Sequence, residues 1–215
     1  MNTPVPVLQN EDELERVYQV FLDRKPTKTL EIGSMYGGTL YHWLNGTKPG
    51  GLVVSVDLMI PQSDPRYQQV AESRQLWQGW AEVARVELSQ NDGDSHDPLL
   101  INLAEHYAPY DVIFIDGDHS LRGVTADFEN YWPMVKPGGL MIFHDISCPD
   151  VNEYQIGSGT FWRELVSKGV YVTSSIENTP AAWGFGLIFK PEPISEKFGA
   201  DVKAVERRTK KGKSK

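Results

Sequence analysis

Apolar positions along the chain switch between two periods. Leu14, Val17, Tyr18 and Phe21 recur at helical spacing behind Asn10-Glu-Asp-Glu13, which has capping-box form. Pro26 follows, so the spacing predicts a helix over about 11–24. Lys28–Ile32 reads as a strand, then a glycine-rich turn leads into a helix to about Leu44. Gly51–Val56 is a strand ending at Asp57, residues 67–83 are helical, and Arg85–Leu88 is a strand. Pro98–His106 is helical. Asp111–Ile115, apolar and β-branched from Val112 on, and Leu140–Phe143 show the pattern of strands buried on both faces. Between them Leu121–Val135 is helical and stops at Pro137-Gly138-Gly139. Phe161–Lys168 is a last helix, with late strands at Val170–Thr173 and Gly184–Phe189. The alternation βαβαβαβαβ predicts an α/β fold, doubly wound, with a mostly parallel sheet and helices on both faces. Such sheets bind ligands beyond the carboxyl ends of their strands, so the residues that follow each strand are the informative ones.

Composition narrows this little. The 215 residues are 23% charged, 40% hydrophobic and 11% aromatic, which excludes coiled-coil, collagen-like and wholly disordered chains. No apolar run reaches the roughly 20 residues of a membrane helix, and the N-terminus has no signal-like segment, so a cytoplasmic protein is expected. The lone Cys148 fits a reducing compartment and, with no basic neighbour in sequence, reads as incidental. Charge changes the picture more. The net −8 combines a tail from Lys203 with seven basic residues and one acid, and a body of 14 basic and 28 acidic residues. An acidic body is a poor nucleic-acid scaffold. The reading is one domain over 1–200 and a basic, disordered tail over 201–215.

The first strand ends in Glu31-Ile-Gly33-Ser-Met-Tyr-Gly37-Gly38. Glycines let the backbone turn tightly and approach a ligand. The spacing is not G-x-G-x-x-G, since position 35 is Met, and no Gly-Lys-Ser/Thr marks a P-loop. Asp57 closes the second strand 24 residues after Gly33, where an acid can accept both hydroxyls of a ribose. Together the two strand ends favour nucleoside binding. Asp116, Asp118 and His119 follow the fourth strand, and His144 and Asp145 the fifth. Adjacent strands lie about 4.8 Å apart, so these groups can converge, as a divalent-metal site or as an acid–base site. Trp183, at the start of a late strand, reads as core more readily than as a substrate platform. Met59–Arg66 and Ser147–Gly159 lack periodicity and read either as covers over the site or as plain surface loops.

The E-x-G-x-x-x-G turn, the acid ending the second strand, and YDVIFIDGDHS followed by KPGGLMIFHD resemble class I S-adenosylmethionine-dependent methyltransferases over residues 27–145. Within that class, Ile115-Asp-Gly-Asp-His119 and the strand running to Asp145 resemble the macrolide-sugar O-methyltransferases and cephalosporin-hydroxylase-like proteins. The resemblance implies a Rossmann-like, seven-stranded sheet with an antiparallel last strand. It implies that Glu31, Gly33, Ser34, Gly37 and Gly38 shape the methionine part of the cofactor pocket and that Asp57 holds the ribose. Asp94 and Ser95 would lie beside the adenine, although an Asx turn ahead of Pro98 accounts for them equally well. Asp116 would serve at the cofactor site and, with His144 and Asp145, as a metal ligand. His119 would be the base. His144 departs from those relatives, which carry an oxygen ligand there. Imidazole suits softer ions than Mg²⁺.

The implied activity is O-methylation of a hydroxyl on a small molecule (sugar, polyketide or phenolic), assisted by Mg²⁺ or a softer divalent ion. No nucleic-acid or membrane partner is expected, and a homo-oligomer is left open. Two readings compete. One is an S-adenosylmethionine-binding protein without transferase activity, suggested by the basic tail and His144. The other is an NAD-dependent oxidoreductase, which Met35 and the missing G-x-G-x-x-G count against.

Overall fold

A computed structural model describes residues 3–148, 156–178 and 183–192. Helix α1 (Glu11–Arg24) starts where Asn10 Oδ1 accepts the N–H groups of Asp12 and Glu13, and stops at Lys25 in the left-handed conformation. The chain continues as β1 (Lys28–Ile32), α2 (Gly38–Gly46), β2 (Leu52–Asp57), α3 (Tyr67–Arg74), α4 (Trp77–Ala84), β3 (Glu87–Asp92), α5 (Pro98–Tyr107) and β4 (Tyr110–Ile115). After these come α6 (Leu121–Tyr131), β5 (Val135–His144), α7 (Ser158–Ser167), β6 (Val172–Ile176) and β7 (Phe185–Phe189).

The seven strands form one sheet in the order β3-β2-β1-β4-β5-β7-β6. Strands β1 to β5 run parallel, and β7 is antiparallel to both its neighbours. This matches the expected Rossmann-like sheet with a reversed last strand. Alternation along the central strands divides the core in two. Ile113, Ile115, Met141 and Phe143 face α5, α6 and α7, while Val112, Phe114, Leu140 and Ile142 face α1 and Trp43. Both faces are covered, which is why these strands read as unbroken apolar runs.

Several boundaries differ from the sequence expectation. The helix expected over 67–83 is two short helices, α3 and α4, with Gln75 and Leu76 between them. The helix from Leu121 becomes 3-10 at Trp132–Met134, because Pro133 has no N–H to continue an α-helix. Strand β5 runs through Pro137-Gly138-Gly139 with a shift of register against β4, and Gly138 and Gly139 exchange backbone hydrogen bonds with Lys190. Strand β6 lies at Val172–Ile176, not Val170–Thr173. Most consequential, β3 reaches Asp92, four residues beyond the expected Leu88, and its last residue pairs with Asp57. The basic tail and the centre of the Ser147–Gly159 stretch lie outside the described residues.

Candidate functional site

A cavity of about 740 Å³ opens at the carboxyl ends of β1 to β5. The sheet order reverses between β1 and β4, the place where open α/β sheets bind ligands. Here β1 and β4 nearly touch. A Cβ on Gly33 would overlap the backbone of Asp116, and Gly33 has φ +84°, so both space and conformation require glycine. The turn that follows is pressed by a tryptophan. Trp77 Nε1 donates to the Tyr36 carbonyl (3.2 Å), and a Cβ on Gly37 would strike the same indole.

One end of the cavity is built around Asp57. Its Oδ1 accepts the N–H groups of Ser34 (2.9 Å) and Met35 (3.2 Å), and its Oδ2 pairs with Arg74. Arg74 is buried, bridges Asp57 to Asp92, and lies over the Trp77 ring with Cζ 4.7 Å from the centroid. A carboxylate has about four lone-pair sites. Three are engaged, which leaves one where the sequence anticipates two hydroxyl contacts. Asp94, Ser95 and His96 line the same end. Asp94 Oδ1 accepts the His96 N–H (2.9 Å), the Asx turn read from the sequence, while the α5 cap is Asp97. The Ser95 hydroxyl donates to the fully buried Asp127 (2.8 Å), which also sits 3.2 Å from His96 Nε2. That hydrogen bond to Asp127 raises the His96 pKa to about 9 despite partial burial. Leu58, Ile60 and Arg66 line the cavity, so the Met59–Arg66 stretch borders it as a covering loop would.

Glu31 and Gly37 do not line the cavity. Glu31 is fully buried behind the glycine-rich turn. Its Oε1 accepts from Thr39 Oγ1 (2.6 Å) and Trp43 Nε1 (2.9 Å), and its Oε2 lies 2.5 Å from Ser34 Oγ. Burial pushes its pKa up to about 8 against these hydrogen bonds. It supports the turn from beneath. Cys148 is buried.

The other end gathers the residues that follow β4 and β5. His144 Nδ1 lies 3.2 Å from Asp116 Oδ1 and 2.9 Å from Asp145 Oδ1. His119 lies between the same acids, Nε2 3.4 Å from Asp116 Oδ1 and Nδ1 3.3 Å from Asp145 Oδ2. Asp118 also lines the cavity, and its Oδ1 accepts the Ser120 N–H at the start of α6. Burial opposes both imidazolium charges, but Asp116 and Asp145 outweigh it and raise both histidine pKa values. The same pairing holds Asp116 below the usual carboxylate range although it is buried.

Asp145 is 1% exposed, adopts φ +63°, and neither of its oxygens accepts an aligned hydrogen bond. The Nε2 atoms of His119 and His144 also make no aligned hydrogen bond. Orphaned buried polar atoms are costly, and here they share one cavity wall. Asp116, His144 and Asp145 each offer a ligand atom within 4.8 Å of the others. Two carboxylates and an imidazole fit a divalent ion, a transition metal better than Mg²⁺.

Three contributors escape the sequence reading: Arg74, His96 and Gln9. Gln9 Nε2 donates to Asp116 Oδ2 (2.6 Å), so the chain ahead of α1 reaches the acid centre. Trp183, expected in the core, is 49% exposed and lines the cavity. Arg74 answers to the register of β2 and β3. With β3 extended to Asp92, two strand-end acids stand side by side and demand a cation.

The chain belongs to the methyltransferase-domain family, whose model matches residues 30–146, and its fold is that of class I S-adenosylmethionine-dependent methyltransferases. It is similar to the demethylmacrocin O-methyltransferase of Streptomyces fradiae, 40% identical over 55 residues, 25% of this chain and 14% of that one. It is also similar to the mycinamicin VI 2''-O-methyltransferase of Micromonospora griseorubida, 28% identical over 110 residues, 51% and 23% of the two chains. The chain spans less than a quarter of the length of the curated relatives it matches. The crystal structure of the O-methyltransferase from Bacillus cereus in complex with SAH shares the fold, with TM-score 0.65 and 18% identity over 87% of this chain and 84% of that one. Among the described residues, no helix is long and apolar enough to cross a membrane.

Proposed function

We propose that the protein transfers a methyl group from S-adenosylmethionine to a hydroxyl oxygen of a small molecule, with a divalent ion at Asp116, His144 and Asp145. The observation that carries this reading is the division of one cavity. Asp57 and the 94–96 turn stand at one end, and two carboxylates and two imidazoles converge at the other. The similarity to two O-methyltransferases supports oxygen as the acceptor.

When bound, the cofactor supplies a methyl made electrophilic by its sulfonium, and the ion supplies positive charge that lowers an acceptor hydroxyl's pKa. The chain's own residues do the rest. Gly33 lets the β1 turn approach the ligand, Asp57 accepts from a ribose hydroxyl, and Ser34 and Gly38 shape the methionine side. His119 accepts the acceptor's proton. Asp116 and Asp145 favour the protonated His119, and a cation held by those carboxylates would weaken that hold. Alignment of acceptor oxygen, methyl carbon and leaving sulfur falls to the cavity walls.

Calorimetric titration with S-adenosylhomocysteine tests the first half: binding is expected, weakened by Asp57→Ala. Transfer of a labelled methyl into a metabolite extract tests the second. Absence of S-adenosylhomocysteine binding rejects the whole reading. Binding without any methylated product leaves a cofactor-binding protein. Methyl transfer indifferent to EDTA and to Asp145→Asn removes the metal from it.

A further inference from the structure

One hydrogen bond at the acid centre comes from far outside residues 30–146, the part of the chain that the family model matches. Gln9 Nε2 donates to Asp116 Oδ2 (2.6 Å). The other oxygen of that carboxylate, Oδ1, lies 3.2 Å from His144 Nδ1 and 3.4 Å from His119 Nε2. The two oxygens are thus divided, one held by the amide and one facing the imidazoles. An aspartate carboxylate turns easily about its Cβ–Cγ bond. The amide of Gln9 removes that freedom.

Two features place Gln9. Behind it, Asn10 caps α1, so the helix start sets where the residue before it lies. Ahead of it, the chain runs along the cavity, which Pro6, Leu8 and Gln9 line. This segment crosses the start of α2 at close range. A Cβ on Gly38 would come 2.5 Å from the Pro6 carbonyl oxygen and 2.8 Å from Val7 Cγ2. Glycine at 38 therefore makes room for the chain's own N-terminal segment. Val7 also packs against the core. Elsewhere the segment stands off the body, over a second cavity of about 280 Å³ walled by Val5, Val7, Leu14 and His42. With packing beneath it incomplete, its position leans on the crossing at Gly38 and on the bond to Asp116.

The residue type suits the position. A carboxylate that binds a metal needs a hydrogen-bond partner on its far side to fix its orientation. An ammonium or guanidinium there would cancel the negative charge that a cation requires. A primary amide donates a hydrogen bond, adds no charge, and leaves the carboxylate's attraction for a cation in place.

We infer that Gln9 is a positioning residue for Asp116. It holds Oδ2, so that Oδ1 is presented as a single ligand atom to the ion shared with His144 and Asp145. The segment over residues 3–9, which crosses Gly38, delivers it. Part of the metal site is thus built by the chain ahead of α1. This rests on the metal reading proposed above.

The test titrates the full-length protein with Co²⁺ alone, followed by visible absorption at a temperature where every variant is folded. Wild type is expected to bind the ion and Asp145→Asn to lose it, which locates the ion at this site. Gln9→Ala raises the Kd about tenfold. Gln9→Met, which fills similar space without a donor, raises it by a similar factor. At saturating Co²⁺ the absorption bands shift in both Gln9 variants, because Asp116 is free to turn. Gly38→Ala displaces Pro6 without touching any ligand of the ion, and it raises the Kd about threefold. Wild-type affinity and unshifted bands in either Gln9 variant overturn the inference. Wild-type affinity in Gly38→Ala overturns the part given to the segment. Absence of Co²⁺ binding in the wild type, or binding that survives Asp145→Asn, overturns the underlying metal reading instead.

Discussion

Strand β4 carries an aspartate at each end, and the two live in opposite surroundings. Asp111, at the amino end, is fully occupied. Its Oδ2 accepts Thr27 N–H (2.7 Å), Thr27 Oγ1 (2.8 Å) and Lys28 N–H (2.8 Å), and Lys136 pairs with its other oxygen. Burial opposes its charge, but these partners hold its pKa below the usual carboxylate range. Asp116, just past the carboxyl end, shares its oxygens among Gln9, His119 and His144, beside an Asp145 that has no aligned donor at all. The amino end is a place where the backbone of the neighbouring strand supplies donors. At the carboxyl end the chain peels away into loops, which opens a cavity and leaves polar groups aimed at whatever enters. An acid that is saturated holds the fold together. An acid among unsatisfied neighbours is available for chemistry.

The sharpest way to break this contrast is at the carboxyl end. His119→Ala is expected to lower kcat by about 10²–10⁴-fold, the usual scale for an acid–base group, while calorimetry finds S-adenosylhomocysteine affinity unchanged. A near-normal kcat would remove His119 from the chemistry. Asp145→Asn keeps a residue that tolerates the left-handed backbone, and it discards a buried charge that has no aligned hydrogen bond and whose imidazole neighbours, His119 and His144, can shed a proton in compensation. Turnover should fall sharply while the thermal midpoint holds or rises, the signature of a site that trades stability for function. A midpoint that drops with activity would make Asp145 a structural residue like Asp111.

The amino end should behave in reverse. Asp111→Ala strands two backbone donors and Lys136, and about 2–4 kcal/mol of stability should be lost in urea unfolding. Turnover per folded molecule should be unchanged well below the midpoint. Loss of kcat without loss of stability would erase the distinction between the two ends.

Glu31 gives the smallest effect at pH 5 and the clearest pH dependence. Its folded pKa is raised to about 8, so the folded state favours the protonated acid. That contribution is fully present below the ordinary carboxylate pKa and is lost as pH rises to about 8. Wild-type stability should therefore decline by a few kcal/mol across that window. Glu31→Gln imitates the protonated acid. Its carbonyl can accept from Thr39 and Trp43, and its amide can donate to Ser34. The variant should be nearly as stable as wild type at pH 5 and flatter with pH above it. A Gln variant much less stable than wild type at pH 5 would mean that Glu31 folds as a carboxylate.

Much of this architecture is legible in the amino-acid sequence. The apolar periods locate the helices and strands, and the unbroken run at 112–115 tells of burial on both faces. The strand-end residues Asp57, Asp94, Ser95, Asp116, His119, His144 and Asp145 all line the cavity, because a parallel sheet sends its carboxyl ends to one edge. Boundaries are less legible where a local rule meets a tertiary one. Pro137-Gly138-Gly139 looks like a stop, yet Lys190 supplies backbone hydrogen bonds that carry β5 through it. Glu31 and Gly37 belong to the right motif but stand behind the cavity wall, since a turn motif does not reveal which of its side chains faces inward.

Periodicity and strand-end chemistry, both local properties, are thus what the sequence determined by itself: the order of the elements, the edge at which ligands gather, and the acids and histidines found there. Tertiary structure alone decided the partnerships. Arg74 joins Asp57 to Asp92 only because β3 extends to pair with the end of β2. Gln9 reaches Asp116 across 107 residues, and Glu13 clamps Asn178 and Gly184 across 165 and 171. These pairings depend on sheet register, helix placement and the direction of single side chains. Such quantities arise when distant segments pack against one another, and the hydrophobic pattern within any one segment carries no trace of them.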